Sequence, residues 1–183
     1  NLQQAEAYLQ RLEGMGTMLA QLTSDILKRE EAGILPPIFV FPLVIEDCRN
    51  VITGRPFVAM GEASLLLADF TKKLSALDGV DSVRSRALLV RAERALLGSV
   101  GPGYENLIEV LQAQQIRATV DAGIWKWPSG DEYYAFALKR TTTTDLTADE
   151  IFALGMKEVA RIHGEMNAIK DQVGYAGDLA SFF

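Results

Sequence analysis

The sequence predicts an all-α fold: a multi-helix, bundle-like domain with at most a short extended or β element near residues 119–128. Three observations carry this expectation. Apolar residues recur at alternating threes and fours over residues 2–31 (Leu2, Ala5, Leu9, Leu12, Leu19, Leu22, Ile26), the period of a helix with one buried face. Thr147-Ala148-Asp149-Glu150 is a capping box that opens a second long amphipathic stretch. Between these, Gly, Pro and Asp-Gly breaks recur at helix-length intervals.

The first helix spans residues 2–31, is ended by Gly33 and is kept from resuming by Pro36-Pro37. A second begins near Phe41-Pro42, with proline in the tolerated first turn. Its expected inward face is Val44, Ile45, Cys48, Val51 and Ile52, and Thr53-Gly54-Arg55-Pro56 closes it. A third is expected from about 61 to 77, before the Asp78-Gly79 turn. A fourth is expected from about 82 to 97, with Val83, Ala87, Val90 and Arg94 on one stripe, widened by Leu88, Leu89, Ala92 and Leu96.

Gly98-Ser99-Val100-Gly101-Pro102-Gly103 reads as a loop before a fifth helix, about 104 to 115. Residues 119–130, with Val120, Trp125 and Trp127, favour a short strand or an ordered loop. Asp131 then caps a helix reaching Lys139, and the β-branched run Thr141–Thr144 forms a linker or strand. The capping box starts a helix to about Gln172, with a stripe of Ile151, Gly155, Val159, Ile162, Met166, Ile169 and Val173. At 1.5 Å per residue that helix is roughly 37 Å long.

The 183 residues suit one domain (1–183) able to bury its own core. The net charge of −6 and pI near 4.9 repel phosphate backbones, so nucleic acid is not an expected partner. Arg84, Arg86, Arg91 and Arg94, interspersed with acids, read as a solvated helix face. No apolar run reaches the roughly 18 to 20 residues of a membrane span. One cysteine excludes an internal disulfide and leaves the compartment open, cytoplasmic or exported. The chain starts at Asn1 without methionine and stops on Phe182-Phe183, so both ends read as cuts in a longer protein.

Several residue groups bear on chemistry. His163 is the only histidine, and a catalytic zinc draws two or three, so no metal ligand is expected. Cys48 fits an apolar stripe, as an inert buried thiol does. Gly98, Gly101 and Gly103 imitate a phosphate loop, but no strand precedes them and Pro102 removes an amide donor. No catalytic residue is expected in the chain.

Trp125, Trp127, Tyr133 and Tyr134 suit either a ligand groove or core packing. Arg140 with Thr142 and Thr143 offers donors to a peptide backbone or carboxylate, or else a polar connection. These seven residues are the candidate substrate-binding set.

The stretch Gly123-Ile124-Trp125-Lys126-Trp127-Pro128-Ser129-Gly130-Asp131-Glu132-Tyr133-Tyr134 resembles the DUF885 family of bacterial proteins. So do Arg140 to Ile151, Leu154-Gly155, Glu158 to Ile162 and Glu165-Met166. Tyr8-Leu9, Gly33-Ile34 with Pro36-Pro37, and Gly101 to Tyr104 fit more loosely. The resemblance implies a helical protein similar to gluzincin-type zinc peptidases. The family's His-Glu-x-x-Pro-Gly-His-His motif lies downstream of the matched region, where its histidines would hold zinc and its glutamate would activate water. This chain would then be inactive alone. Its expected role is part of a substrate cleft completed by the C-terminal half of the parent, with a peptide as substrate and zinc as the parent's cofactor. The alternatives are a non-enzymatic helical scaffold or peptide- or protein-binding module, and self-association through a surface that the missing half covers.

Overall fold

The computed structural model describes residues 1–183, and its regular secondary structure is all helical. No strand forms; the one bridge, Arg55 to Ala63, is isolated. Residues 119–128 are an ordered loop holding a single 3₁₀ turn at Ile124–Lys126. No helix is long and apolar enough to cross a membrane. The chain packs as two compact units, Asn1–Pro128 and Ser129–Phe183.

In the first unit, helix α1 (Leu2–Glu31) contributes residues to both hydrophobic cores. Asn1 caps it with a reciprocal Asn1–Gln4 box, and Gly33, at φ 77°, takes the left-handed conformation that ends it. The first half of α1 supplies Ala5, Leu9 and Leu12 to one core, with α3 (Leu65–Ser75) and α4 (Ser82–Ala95). The second half supplies Leu19 to another, with Phe41, Ile45 and Cys48 of α2 (Val40–Val51) and Leu107, Ile108 and Leu111 of α5 (Gly101–Arg117). Met15 and Tyr104 pack against both.

Several expectations are corrected. The third helix starts at Leu65, not 61. Arg55 and its neighbours pair with Glu62 and Ser64 (Arg55 N to Glu62 O, 2.8 Å; Ser64 N to Arg55 O, 2.8 Å), and Ser64 Oγ caps α3. The inward face of α2 includes Phe41, which the periodicity did not single out, while Val44 stays exposed. On α4 the buried stripe is Leu88, Ala92 and Ala95; Val83, Ala87 and Val90 face solvent. The arginines of α4 are exposed or half-exposed as expected, but two reach across to α1: Arg84 pairs with Glu6, and Arg91 with Glu6 and Glu13.

The largest correction concerns residues 98–103, which form no loop. Leu96–Val100 is a π-helical turn, and α5 begins at once at Gly101. Such π-helical turns occur mostly as single-turn bulges inside a continuing α-helix. Pro102 lies in the first turn of α5, directly after the π-helical turn. The glycines serve close approach instead. A Cβ on Gly103 would lie 2.7 Å from Leu19 Cδ1, and one on Gly16 would lie 2.9 Å from Ser99 Oγ.

In the second unit, α6 (Gly130–Thr142) extends past Lys139. Its N-cap is Ser129 in the left-handed conformation, so Asp131 stands in the first turn rather than at the cap. Thr141 and Thr142 are helical, and Thr143 ends the helix at φ 57°; only Thr144 to Leu146 connect onward. Thr142 Oγ1 bonds back to the Leu138 carbonyl at 2.8 Å, which lets a β-branched residue sit in a helical last turn. Helix α7 (Ala148–Gln172) carries the expected capping box, and α8 (Leu179–Phe182) follows. No residue of α7 is buried, so its apolar stripe is open.

Candidate functional site

The seven candidate residues divide between the two units. Trp125 and Trp127 belong to the first; Tyr133, Tyr134, Arg140, Thr142 and Thr143 belong to the second.

In the second unit, Tyr133, Tyr134 and Phe136 are exposed on α6, with Tyr133 and Phe136 ring centroids 6.5 Å apart. Tyr134 also borders a shallow cleft of about 300 Å³. Tyr134 and Leu138 form one side, and Thr144, Leu146 and Thr147 the other. Thr147 accepts from the Glu150 amide (3.3 Å), and the Glu150 carboxylate accepts from the Thr147 amide (2.8 Å). These bonds from the Thr147 backbone and hydroxyl hold the Glu150 carboxyl below its usual range. Arg140 makes no side-chain bond and stands exposed. The Thr142 hydroxyl is spent on Leu138 and Thr144, so it is not a free donor. Thr143 serves as the helix cap through its backbone.

In the first unit, Trp125 is 74% exposed, whereas Trp127 is half-buried and donates from Nε1 to the Leu35 carbonyl at 3.1 Å. Trp127 closes one side of a cleft of about 230 Å³. Ile26 and Arg29 come from α1, Phe41 from α2, and Leu111 and Gln114 from α5. Val40 and Val44 of α2 also line it, with Ile34 and Pro36 from a segment tied down by Ile38 N donating to Thr119 O at 2.8 Å.

Gln114, only 1% exposed, is the polar residue of this wall. Its Nε2 donates to Glu30 Oε2 at 3.0 Å and to the Ile26 carbonyl at 3.4 Å. A carboxylate only accepts, so the amide nitrogen must face Glu30, which leaves Oε1 buried with no partner. Glu30 also pairs with Arg117 at 2.5 Å; that bond, with the Gln114 amide, holds its carboxyl below the usual range. Arg29 makes no ion pair or side-chain hydrogen bond.

Neither Gln114 nor Arg29 was among the sequence candidates. The available signal was a glutamine continuing the i, i+4, i+7 stripe of Leu107 and Leu111, a polar residue in a core register.

Two further chemistry-bearing residues are Cys48 and His163. Cys48 is buried, and burial, followed by the Asp47 charge, pushes its thiol up. His163 is exposed on α7. Its nearby carboxylates, Glu158 and Glu165, are both engaged by Arg161, at 2.8 and 2.5 Å. The residues here do not fit a zinc site: one imidazole, with its neighbouring carboxylates already paired.

Residues 1–183 match the family model "Bacterial protein of unknown function (DUF885)". The fold also matches the crystal structure of "the putative lipoprotein from Colwellia psychrerythraea", with a TM-score of 0.80 at 22% identity. The match covers 97% of this chain but 30% of that one, so the chain spans under a third of the length of the protein it resembles. No curated protein matches.

Proposed function

This chain belongs to the DUF885 family of bacterial proteins, and on that footing we propose that it is a non-catalytic helical part of a zinc-peptidase-like protein. It lines a cleft for a peptide, while zinc is held by residues outside this chain. The observation that carries the reading is the α6 surface: Tyr133, Tyr134 and Phe136 are exposed, and Tyr134 borders the 300 Å³ cleft that reaches Thr147. Exposed aromatics next to a concave surface are the usual makings of a peptide contact. Arg140, unpaired one turn onward, offers a charge-assisted donor. Trp125 and Trp127 supply a further aromatic element on the first unit. The single histidine supports placing the metal elsewhere.

The test uses the full-length parent protein. Peptide cleavage is expected, abolished by a chelator and restored by zinc. Tyr134→Ala and Arg140→Gln should each raise KM with little change in kcat. Absence of zinc-dependent cleavage across a broad peptide library would count decisively against the peptidase reading.

A second reading is favoured by α7, whose apolar residues Val159, Ile162, Ile169 and Val173 are all exposed. Such a stripe suits a partner helix in a non-enzymatic binding module, or self-association of the chain. Light scattering at two concentrations separates them: a concentration-dependent mass supports self-association, and a constant monomer mass excludes it.

A further inference from the structure

We infer that the open face of α7 pairs with the same face of a second copy of this chain, as a parallel two-stranded coiled coil. The inference rests on the second reading above, that α7 docks a helix, and gives that helix an identity and a direction.

The need for a partner comes from burial. Within Ser129–Phe183 only Gly130 is buried, so the second unit has no apolar core of its own. A helix in a folded protein draws most of its stability from packing an amphipathic face, and no residue of α7 is buried. Phe152, Val159, Ile162, Ile169 and Val173 are between 43% and 70% exposed.

The spacing selects a helix as that partner. Phe152, Val159, Met166 and Val173 recur at sevens, and Gly155, Ile162 and Ile169 follow the first three of them by three residues. These are the a and d positions of a heptad seam, the contact line of helices that wind around each other. Gly155, where an added Cβ would meet nothing within 4 Å, leaves room beside the bulky Phe152 layer.

The flanks of the seam select a second copy. Ile151, Glu158 and Glu165 stand at g, while Met156, His163 and Lys170 stand at e. In a parallel pair each g residue faces the e residue five positions later on the other helix. Ile151 then meets Met156, Glu158 meets His163, and Glu165 meets Lys170. The Lys170 ammonium gives one donor to the Gly177 carbonyl at 2.9 Å and has two more. Arg161, at c, pairs with both glutamates at 2.8 and 2.5 Å and holds them along their flank. An antiparallel pair would set g against g and bring glutamate against glutamate, which is repulsive. The face of α7 is therefore complementary to itself in the parallel sense.

The experiment is sedimentation equilibrium of this chain, with circular dichroism confirming the helix content of each variant. A mass rising toward twice that of the monomer is expected by roughly 100 μM. Ile162→Glu puts a charge into the seam and should raise the dissociation constant at least about tenfold. Leu154→Glu, at an exposed apolar residue in position c, should change it by less than about threefold. Gly155→Cys reads the direction. Parallel pairing brings the two copies of position 155 together, so mild oxidation joins them. Antiparallel pairing holds them more than about 15 Å apart, beyond the reach of a disulfide. Ala160→Cys, on the outer face, should stay unjoined under the same oxidant, as should the buried Cys48. A constant monomer mass overturns the inference while leaving the partner-helix reading standing. Equal weakening by Leu154→Glu and Ile162→Glu also overturns it, as does a dimer in which Gly155→Cys joins no faster than Ala160→Cys.

Discussion

Ser99 Oγ lies 2.9 Å from the backbone nitrogen of Gly16, accepting its N–H, and the same hydroxyl donates to the Glu13 carbonyl at 2.9 Å. A side chain from the π-helical turn thus bonds into the middle of α1. The contact exists only because position 16 has no Cβ, and Gly103 makes the neighbouring close approach to Leu19. Two glycines of α1 therefore have opposite expected effects on substitution.

Gly16→Ala should destabilise the first unit by about 1 kcal/mol. Overpacking against Ser99 costs about 1–3 kcal/mol, offset in part by about 1 kcal/mol of helix propensity. Gly14→Ala meets nothing within 4 Å and should stabilise by about 0.5–1 kcal/mol. Urea denaturation of the two variants checks the signs.

Phe41 and Val44 test the face of α2. Phe41 is 1% exposed, and Phe41→Ala should cost about 3–5 kcal/mol. Val44 is 38% exposed, and Val44→Ala should stay within about 1 kcal/mol. Equal losses in thermal unfolding would show that the face is misassigned.

The two tryptophans should differ in the same way. Trp127→Phe removes the Nε1 bond to Leu35, worth about 1 kcal/mol. Trp125→Phe, at an exposed ring, should lie within about 0.5 kcal/mol of the parent.

The α7 cap should respond to pH. Thr147→Ala is expected to weaken the second unit by about 1 kcal/mol at neutral pH. Because the folded Glu150 carboxyl is depressed, its contribution is fully present above the unfolded carboxyl range and is lost as pH falls through the folded value. Hydrogen exchange of the first turn of α7 in wild type and Glu150→Ala should therefore differ at pH 7 and converge in acid.

Much of the helix inventory was legible because its signals are local. The α1 periodicity, the Gly33 stop and the Thr147–Glu150 box each act within one or two turns of chain, and each stands where the pattern put it. Residues 98–103 misled for the same reason. Three glycines and a proline are loop signals locally, and the advantage of keeping them helical comes from α1, more than 80 residues away in sequence. The candidate site shows the same division. The aromatic cluster at 125–134 was visible by composition, but not that the unit boundary falls inside it. The Gln114 cleft was invisible because its walls come from α1, α2, α5 and the Trp127 segment.

By itself, then, the sequence determined the all-α class, the family and most helix ends, all of which depend on composition or on spacing within a few turns. Only the tertiary structure decided that glycines 16 and 103 are contact points, that α4 turns Leu88 rather than Val83 inward, and that Gln114 Oε1 is left without a donor. Those depend on which surfaces meet, and close packing between helices far apart in the chain sets them.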